Sequence, residues 1–393
     1  MKKINLLIKT SLVALSTMAL FSCAETSEPA ETLRFYVGSS KGDLSHSIYL
    51  CELNPVMETF AVVDSFAGAN GGSYLDLSPE GLYLYAINQD NWSENSQHAT
   101  VTSFAIEPAS LGLKLINSQS SEGSGICHIH CSAEGNYIFA ANYGSGHATT
   151  LPVKENGEIT VASSVVIGAG SGPVESRQEG PHAHQVMLDP GQKFLLVPDL
   201  GTDKVFIYAF DSNSGILTPN PAQAYFELAP GAGPRHLAFH PDGLSLYIVS
   251  ELSSTITACT FNSTDGTISE INTLSTVEES HEGMKYPAAV RVHPNGRYVY
   301  ASTRGENSCI STFEINQDGS LTRVQVMEQV PNWPRDFNLD PSGKIMLVAG
   351  ERSADIRLYL IDSETGFHAE TESRVQVPAP ASILFIQQDS KEL

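Results

Sequence analysis

Two sets of residues stand at fixed offsets from a turn that recurs along the chain, and they gather side chains able to do acid–base and anion-binding chemistry. Six residues before the turn proline, or before Ala133 where alanine replaces it, come Ser73, Cys127, His184, Arg235, Ala288 and Arg335. Ten residues after it come Gln89, Tyr143, Leu200, Glu251, Arg304 and Glu351. A structural register of a β-protein is usually apolar or small, yet these two hold one His, three Arg and two Glu. His184 is the ionisable residue here whose ordinary pKa lies near neutrality, which makes it the natural general acid or base. Arg235 and Glu251 belong to one repeat and are expected to converge, whereas Arg335 and Glu351 could equally form a scaffold ion pair. His182, His236, Asn88, Asn142 and Asp199 flank these positions. His128, His130, His240 and His293 fall in strands or turns and are expected to be structural.

The elements that must position these residues follow from the repeat itself. Each copy is a short apolar strand, a turn rich in Pro, Asp and Gly, and a second apolar strand, as in His236-Leu-Ala-Phe-His-Pro-Asp-Gly-Leu-Ser-Leu-Tyr-Ile and Asp336-Phe-Asn-Leu-Asp-Pro-Ser-Gly-Lys-Ile-Met-Leu-Val. Proline presets φ at the second turn position and glycine supplies a positive φ, so each phrase reads as a β-hairpin. Another alternating pair follows, such as Val205-Phe-Ile-Tyr-Ala-Phe, giving four strands per unit of roughly fifty residues, the signature of a propeller. No segment carries sustained helical periodicity. Six copies run from about Gly72 to Arg374. The N-terminal piece Leu33 to Asp64 has outer-strand patterning only, and the C-terminal Ala381-Ser-Ile-Leu-Phe-Ile has only an inner strand. Joined, they predict a seventh blade and hence an all-β, seven-bladed β-propeller without exposed sheet edges. Ligands of such rings bind at the axis, where both registers converge.

Composition narrows the partners. A formal net charge of −22 argues against nucleic acid, which needs concentrated Lys and Arg. It leaves room for an anionic small molecule, because a few arginines can set the sign of one cavity. At the N-terminus, Lys2, Lys3 and Lys9 precede an apolar run from Ser11 to Phe21, too short for a permanent span, ending in Leu20-Phe21-Ser22-Cys23. That order reads as a bacterial lipoprotein signal over 1–22, with lipid expected on Cys23 and a solvated tether over 23–32. The propeller then occupies 33–393, and the protein is expected to be exported to the periplasm or cell envelope, touching membrane only through its anchor. The remaining cysteines, Cys51, Cys127, Cys131, Cys259 and Cys309, are odd in number and lack a second ligand pair at finger-like spacing, so buried thiols are expected. Neither a metal nor a cofactor is expected, and the chain is expected to be monomeric.

The phrases Gly180-Pro-His-Ala-His-Gln, Gly231-Ala-Gly-Pro-Arg-His-Leu-Ala-Phe-His-Pro, Ser250-Glu-Leu, Ala301-Ser-Thr-Arg and Pro334-Arg-Asp-Phe resemble the lactonase propeller family. That family includes bacterial 6-phosphogluconolactonases and is similar to the fungal carboxy-muconate lactonizing enzymes. The resemblance covers essentially all of the chain after residue 32, and the Gly-Pro-Arg-His phrase followed by Glu is its specific part. It implies that His184, Arg235, Glu251 and Arg304 occupy the family's proposed active-site positions. It further implies hydrolysis of a sugar-like or related anionic lactone, with no acyl-enzyme, since no Gly-x-Ser-x-Gly elbow occurs. On this reading His184 or Glu251 takes a proton from water, Arg235 stabilises the oxyanion, and Arg304, helped by Arg335, His182 and His236, holds the substrate. The two arginines, as side chains of an open channel, are expected to add little to folding stability. The departure is the export signal, because phosphogluconolactone is a cytoplasmic metabolite. Three other readings use the same residues or the same axis: a cycloisomerase, a non-catalytic binding propeller, and a calcium-dependent lactonase, for which Asn88, Asn142 and Asp199 supply a thin ligand set.

Overall fold

A computed structural model describes residues 32–41, 46–54, 56, 59–89 and 99–386; the lipobox, Cys23 and the tether lie outside them. These residues form 29 strands and no helix, arranged as seven sheets in chain order. Six sheets are continuous in sequence, and blade 4 is representative: Pro234–Phe239 innermost, then Ser245–Ser250, Thr255–Phe261 and Ile268–Ser275. Blade 3 splits its outer edge between Ile216–Pro219 and Tyr225–Glu227, both paired with Lys204–Asp211.

The seventh blade joins the two ends of the chain, as the leftover patterning requires. Pro380–Phe385 is its inner strand and pairs antiparallel with Leu33–Ser39, which leads outward to Ile48–Asn54 and Thr59–Phe66. Closure is a matter of packing as well as hydrogen bonding, because apolar cores lie between sheets. Phe35, Val37 and Leu53 of this blade meet Ile345, Leu347 and Leu358 of blade 6 on one face. On the other face Tyr36, Ile48 and Leu50 meet Leu75, Leu84 and Phe104 of blade 1. Each sheet is thus covered by its neighbours on both faces, which is why its strands read as nearly continuous apolar runs. The five remaining cysteines are free and buried in this packing.

The hairpin turns hold the ring's lower face. Gly243, at φ +71°, closes the turn of blade 4 as the phrase predicts. Blade 3 differs: in Asp189-Pro-Gly-Gln the left-handed residue is Gln192, at φ +55°, one place after the glycine. Its side chain offsets this by accepting from the Ala133 amide of the adjacent blade at 2.8 Å. His240 and His293 are structural, as expected. The Nε2 of His240 donates to the Gly296 carbonyl at 2.9 Å and that of His293 to Gly343 at 2.8 Å, each stapling one turn to the next blade.

Candidate active site

The first register is aimed into the channel by a break in strand pairing. In blades 2, 4 and 6 the inner strand slips register at its upper end, between Ile126 and His128, Pro234 and His236, and Pro334 and Asp336. The unpaired residues are Cys127, Arg235 and Arg335, and a bulge of this kind turns the extra side chain away from its sheet position. In blade 3 His184 stands between the bridge of Ala183 to Asp199 and the pairing of Met187 with Leu196. The second register is fixed by its own amides, which bond back to the incoming loop: Tyr143 to the Gly125 carbonyl at 3.0 Å, Glu251 to Gly233 at 2.7 Å, Glu351 to Trp333 at 3.1 Å. Arg304 lies inside its strand, paired with Tyr286.

These supports bring Arg235, Glu251 and Arg304 together. Glu251 Oε2 accepts from Arg235 Nε at 3.1 Å and from Arg304 Nη2 at 2.5 Å. Its Oε1 accepts from Arg177 Nη2 at 2.7 Å. Burial alone would raise the pKa of Glu251, but Arg304, Arg235 and the other positive neighbours outweigh it and hold the carboxylate well below its usual range. Burial and the charges of Arg304 and Arg335 push Arg235 down to about 9 against the pull of Glu251, so it remains a cation at neutral pH. Arg235 is 2% exposed and Arg304 5%, so both are enclosed rather than the open channel side chains expected. Each guanidinium nevertheless keeps a nitrogen that bonds no described residue: Nη2 of Arg235, Nη1 of Arg304 and Nη1 of Arg177. Arg335 stands 3.8 Å from Glu351, a loose ion pair, and Glu351 also accepts from Ser40 Oγ at 2.6 Å.

His184 is buried beside this cluster, its Nδ1 3.9 Å from Cys127 Sγ and its ring edge-on to Tyr143 and His236. Its Nε2 bonds no described residue. His236 lies under Arg235, accepting from Nη1 through Nε2 at 3.3 Å, so it positions that guanidinium from beneath. His182 sits to the side: its ring stacks on Tyr143, Nδ1 donates to the Tyr143 carbonyl at 2.8 Å, and Nε2 is 3.2 Å from Glu179. Asn142 is tied to Ser121, and Asp199 takes the His182 amide and Thr202 hydroxyl, so both serve the scaffold. Among the described residues no three His, Cys, Asp or Glu side chains are grouped to hold a metal. A larger groove, about 850 Å³, lies on the turn face between blades 4 and 5, lined by residues such as Asp242, Asn262 and Asp318, away from the arginines.

Two residues of the site escape the repeat. Arg177 comes from the loop between the outer strand Ser164–Ile167 and the inner strand of blade 3, a stretch without a repeat position. Trp333 precedes Arg335 where blades 2 and 4 have Gly125 and Gly233, and that exchange was the one signal available. Beside Arg235, Tyr74 lies tilted on His128 and His236 meets both rings edge-on, and His128 is buried with no described partner for either ring nitrogen.

Burial keeps His184, His236 and His128 neutral, aided by Arg235 at the first two and by His130 at the third; all three pKa values lie well below 6.5. Unfolded, these groups would titrate near 6.5, so below that pH the unfolded chain binds more protons and stability falls as pH falls. Melting temperature should therefore decline on acidification from about pH 7 to 5, before ordinary carboxylates titrate, and His128→Phe should flatten the slope. Thermal melts across this range test it; a flat profile contradicts it.

The same frame is found in known proteins. The family model described as lactonase, 7-bladed beta-propeller, matches residues 34–385. The 6-phosphogluconolactonase of Bacillus subtilis is 32% identical over 354 residues, covering 90% of this chain and 98% of that protein. The 6-phosphogluconolactonase of Formosa agariphila is 32% identical over 75% of this chain and 82% of its own length. The solved structure of a periplasmic gluconolactonase from Pseudomonas aeruginosa superposes with a TM-score of 0.84 at 25% identity, covering 91% of this chain and 99% of that one. With its closed ring of seven blades matched along nearly its whole length, the chain belongs to the lactonase seven-bladed β-propeller family.

Proposed function

We propose that this chain is a lactone hydrolase that opens a sugar or related anionic lactone by attack of water at the channel mouth. The observation that carries the reading is the arrangement about Glu251: one carboxylate binds and aims three guanidiniums and leaves the cluster net positive, each guanidinium keeping a nitrogen to meet a negatively charged substrate. Relatives named as 6-phosphogluconolactonase and gluconolactonase support the reaction class.

The division of labour follows from protonation. Glu251 is a poor base, since both its oxygens already accept from arginines, whereas Nε2 of His184 bonds no described residue. His184, held neutral, accepts the proton of the attacking water at Nε2 and returns it to the ring oxygen as the acyl–oxygen bond breaks. Arg235 Nη2 donates to the oxyanion, in a buried setting where such a bond is stronger than in water. Arg304 and Arg335 hold a carboxylate or phosphate of the substrate. Catalysis needs no metal in this scheme. His182 acts by holding Tyr143, and His236 by supporting Arg235.

The chain is proposed to work outside the cytoplasm, as a protein cleaved before Cys23 and lipidated there. Support comes from the order of Lys2, Lys3, Lys9, the apolar run and Cys23, and from the periplasmic location in the name of the Pseudomonas relative. Purified protein incubated with a panel of sugar lactones should open at least one, at a rate unchanged by chelator. A chelator-sensitive rate would favour a calcium lactonase, and no rate on any lactone would favour a non-catalytic binding propeller.

A further inference from the structure

Trp333 occupies a backbone conformation that suits glycine. Its φ is +64°, and the equivalent residues Gly125 and Gly233 both have φ +62°. All three do the same backbone work, offering a carbonyl to the amide of the second register. A bulky side chain with positive φ is strained, and strain of this kind is retained where the side chain itself has a use. Nothing in the scaffold demands an indole here, since two other blades make the same bond with no side chain at all.

The use is legible in what the ring touches. The guanidinium carbon of Arg352 lies 3.3 Å from the indole centroid and that of Arg304 lies 5.5 Å from it. Tyr286 meets the ring edge-on at 6.4 Å. Arg352 is exposed and forms no ion pair with a described carboxylate, so its position depends on the indole face. Arg304 reaches from this ring to Glu251 and joins the rim to the catalytic cluster. An exposed arginine is thereby held on the same indole that Arg304 approaches.

We propose that Trp333 and Arg352 extend the anion site of Arg304, so that Arg352 adds a second, outer contact to the negative substituent of the substrate, phosphate or carboxylate, at a distance from the lactone carbonyl. The proposal rests on the hydrolase reading for its substrate, but the subsite can be probed without turnover. Stable sugars that carry no lactone separate the two questions and the two anions: glucose 6-phosphate, glucuronate and glucose. Calorimetric titration of the wild type should show one or both acids binding at least tenfold more tightly than glucose, and which acid does so identifies the substituent. Arg352→Ala should lose about three- to fivefold of that preference, the size of an exposed cation–π contact, while Arg304 and Arg335 keep the rest. Trp333→Gly should lose as much, while the backbone, already in a glycine conformation, keeps the protein folded with a melting temperature near that of the wild type. Preference retained in full in both variants, or absent from the wild type, overturns the subsite. Failure to open any lactone would instead overturn the hydrolase reading and leave the sugar titrations as a valid test.

Discussion

Arg235→Ala should lower kcat for lactone opening by about 10²–10³-fold, corresponding to roughly 3–4 kcal/mol of lost transition-state stabilisation. Arg235 stands at a bulge of the inner strand, its Nε is spent on Glu251 and its Nη1 on His236 and the Ala288 carbonyl, and Nη2 is left at the centre of the cluster. A donor fixed in this way needs no rearrangement when charge develops on the substrate oxygen. The effect belongs in kcat because the oxyanion exists only in the transition state. Arg235 is also buried, so the variant should lose some stability, and melting curves must accompany the kinetics. Arg235→Lys keeps a charge but not the fork that spans Glu251 and the substrate, and should recover only part of the rate. A folded Arg235→Ala protein with wild-type kcat would remove Arg235 from the chemistry.

Glu251→Ala should have its largest effect on folding. Removing this carboxylate leaves Arg177, Arg235 and Arg304 facing one another with no shared counter-charge, and breaking a buried ion cluster from one side costs about 3–5 kcal/mol. Glu351 cannot substitute, since its contacts are to Arg335 and Ser40. Chemical denaturation should show a midpoint well below the wild type, with activity lost even where the protein is folded. Glu251→Gln keeps the shape without the charge and should fall between. A denaturation midpoint unchanged in Glu251→Ala would mean that the arginines do not depend on it. The two experiments also separate roles: Arg235 acts on the substrate, whereas Glu251 acts through the arginines.

The ring was legible because the turn phrase fixes strand register, and strand register fixes which side chains reach the axis. A residue six places before the turn lands at the top of the inner strand in each blade, so His184, Arg235 and Arg335 could be placed together from spacing alone. The join of Leu33–Ser39 with Pro380–Phe385 was legible for the same reason, each fragment lacking what the other has. Burial was not legible. Period-two patterning marks which face a side chain takes but not how deep the channel is, and Arg235 and Arg304 proved to be enclosed. Arg177 was invisible because its loop has no counterpart in the other blades, so no register predicts where it goes. The choice between Glu251 and His184 as base could be argued only once three guanidiniums were seen on one carboxylate. Gln192 shows a further limit: the turn kept its shape while the left-handed position moved off the glycine.

Water activated beside His184 and Arg235 is proposed to open the lactone. The direct measurement is lactone opening in water labelled with oxygen-18, with rates for wild type, Arg235→Ala and buffer compared and the product examined by mass spectrometry. The expected result is a rate above buffer with the wild type, falling by about 10²–10³-fold in Arg235→Ala, and a product acid carrying one labelled oxygen in its new carboxylate. An enzyme-dependent product without the label would mean isomerisation rather than hydrolysis, and a wild-type rate equal to buffer across the lactone panel would contradict the claim.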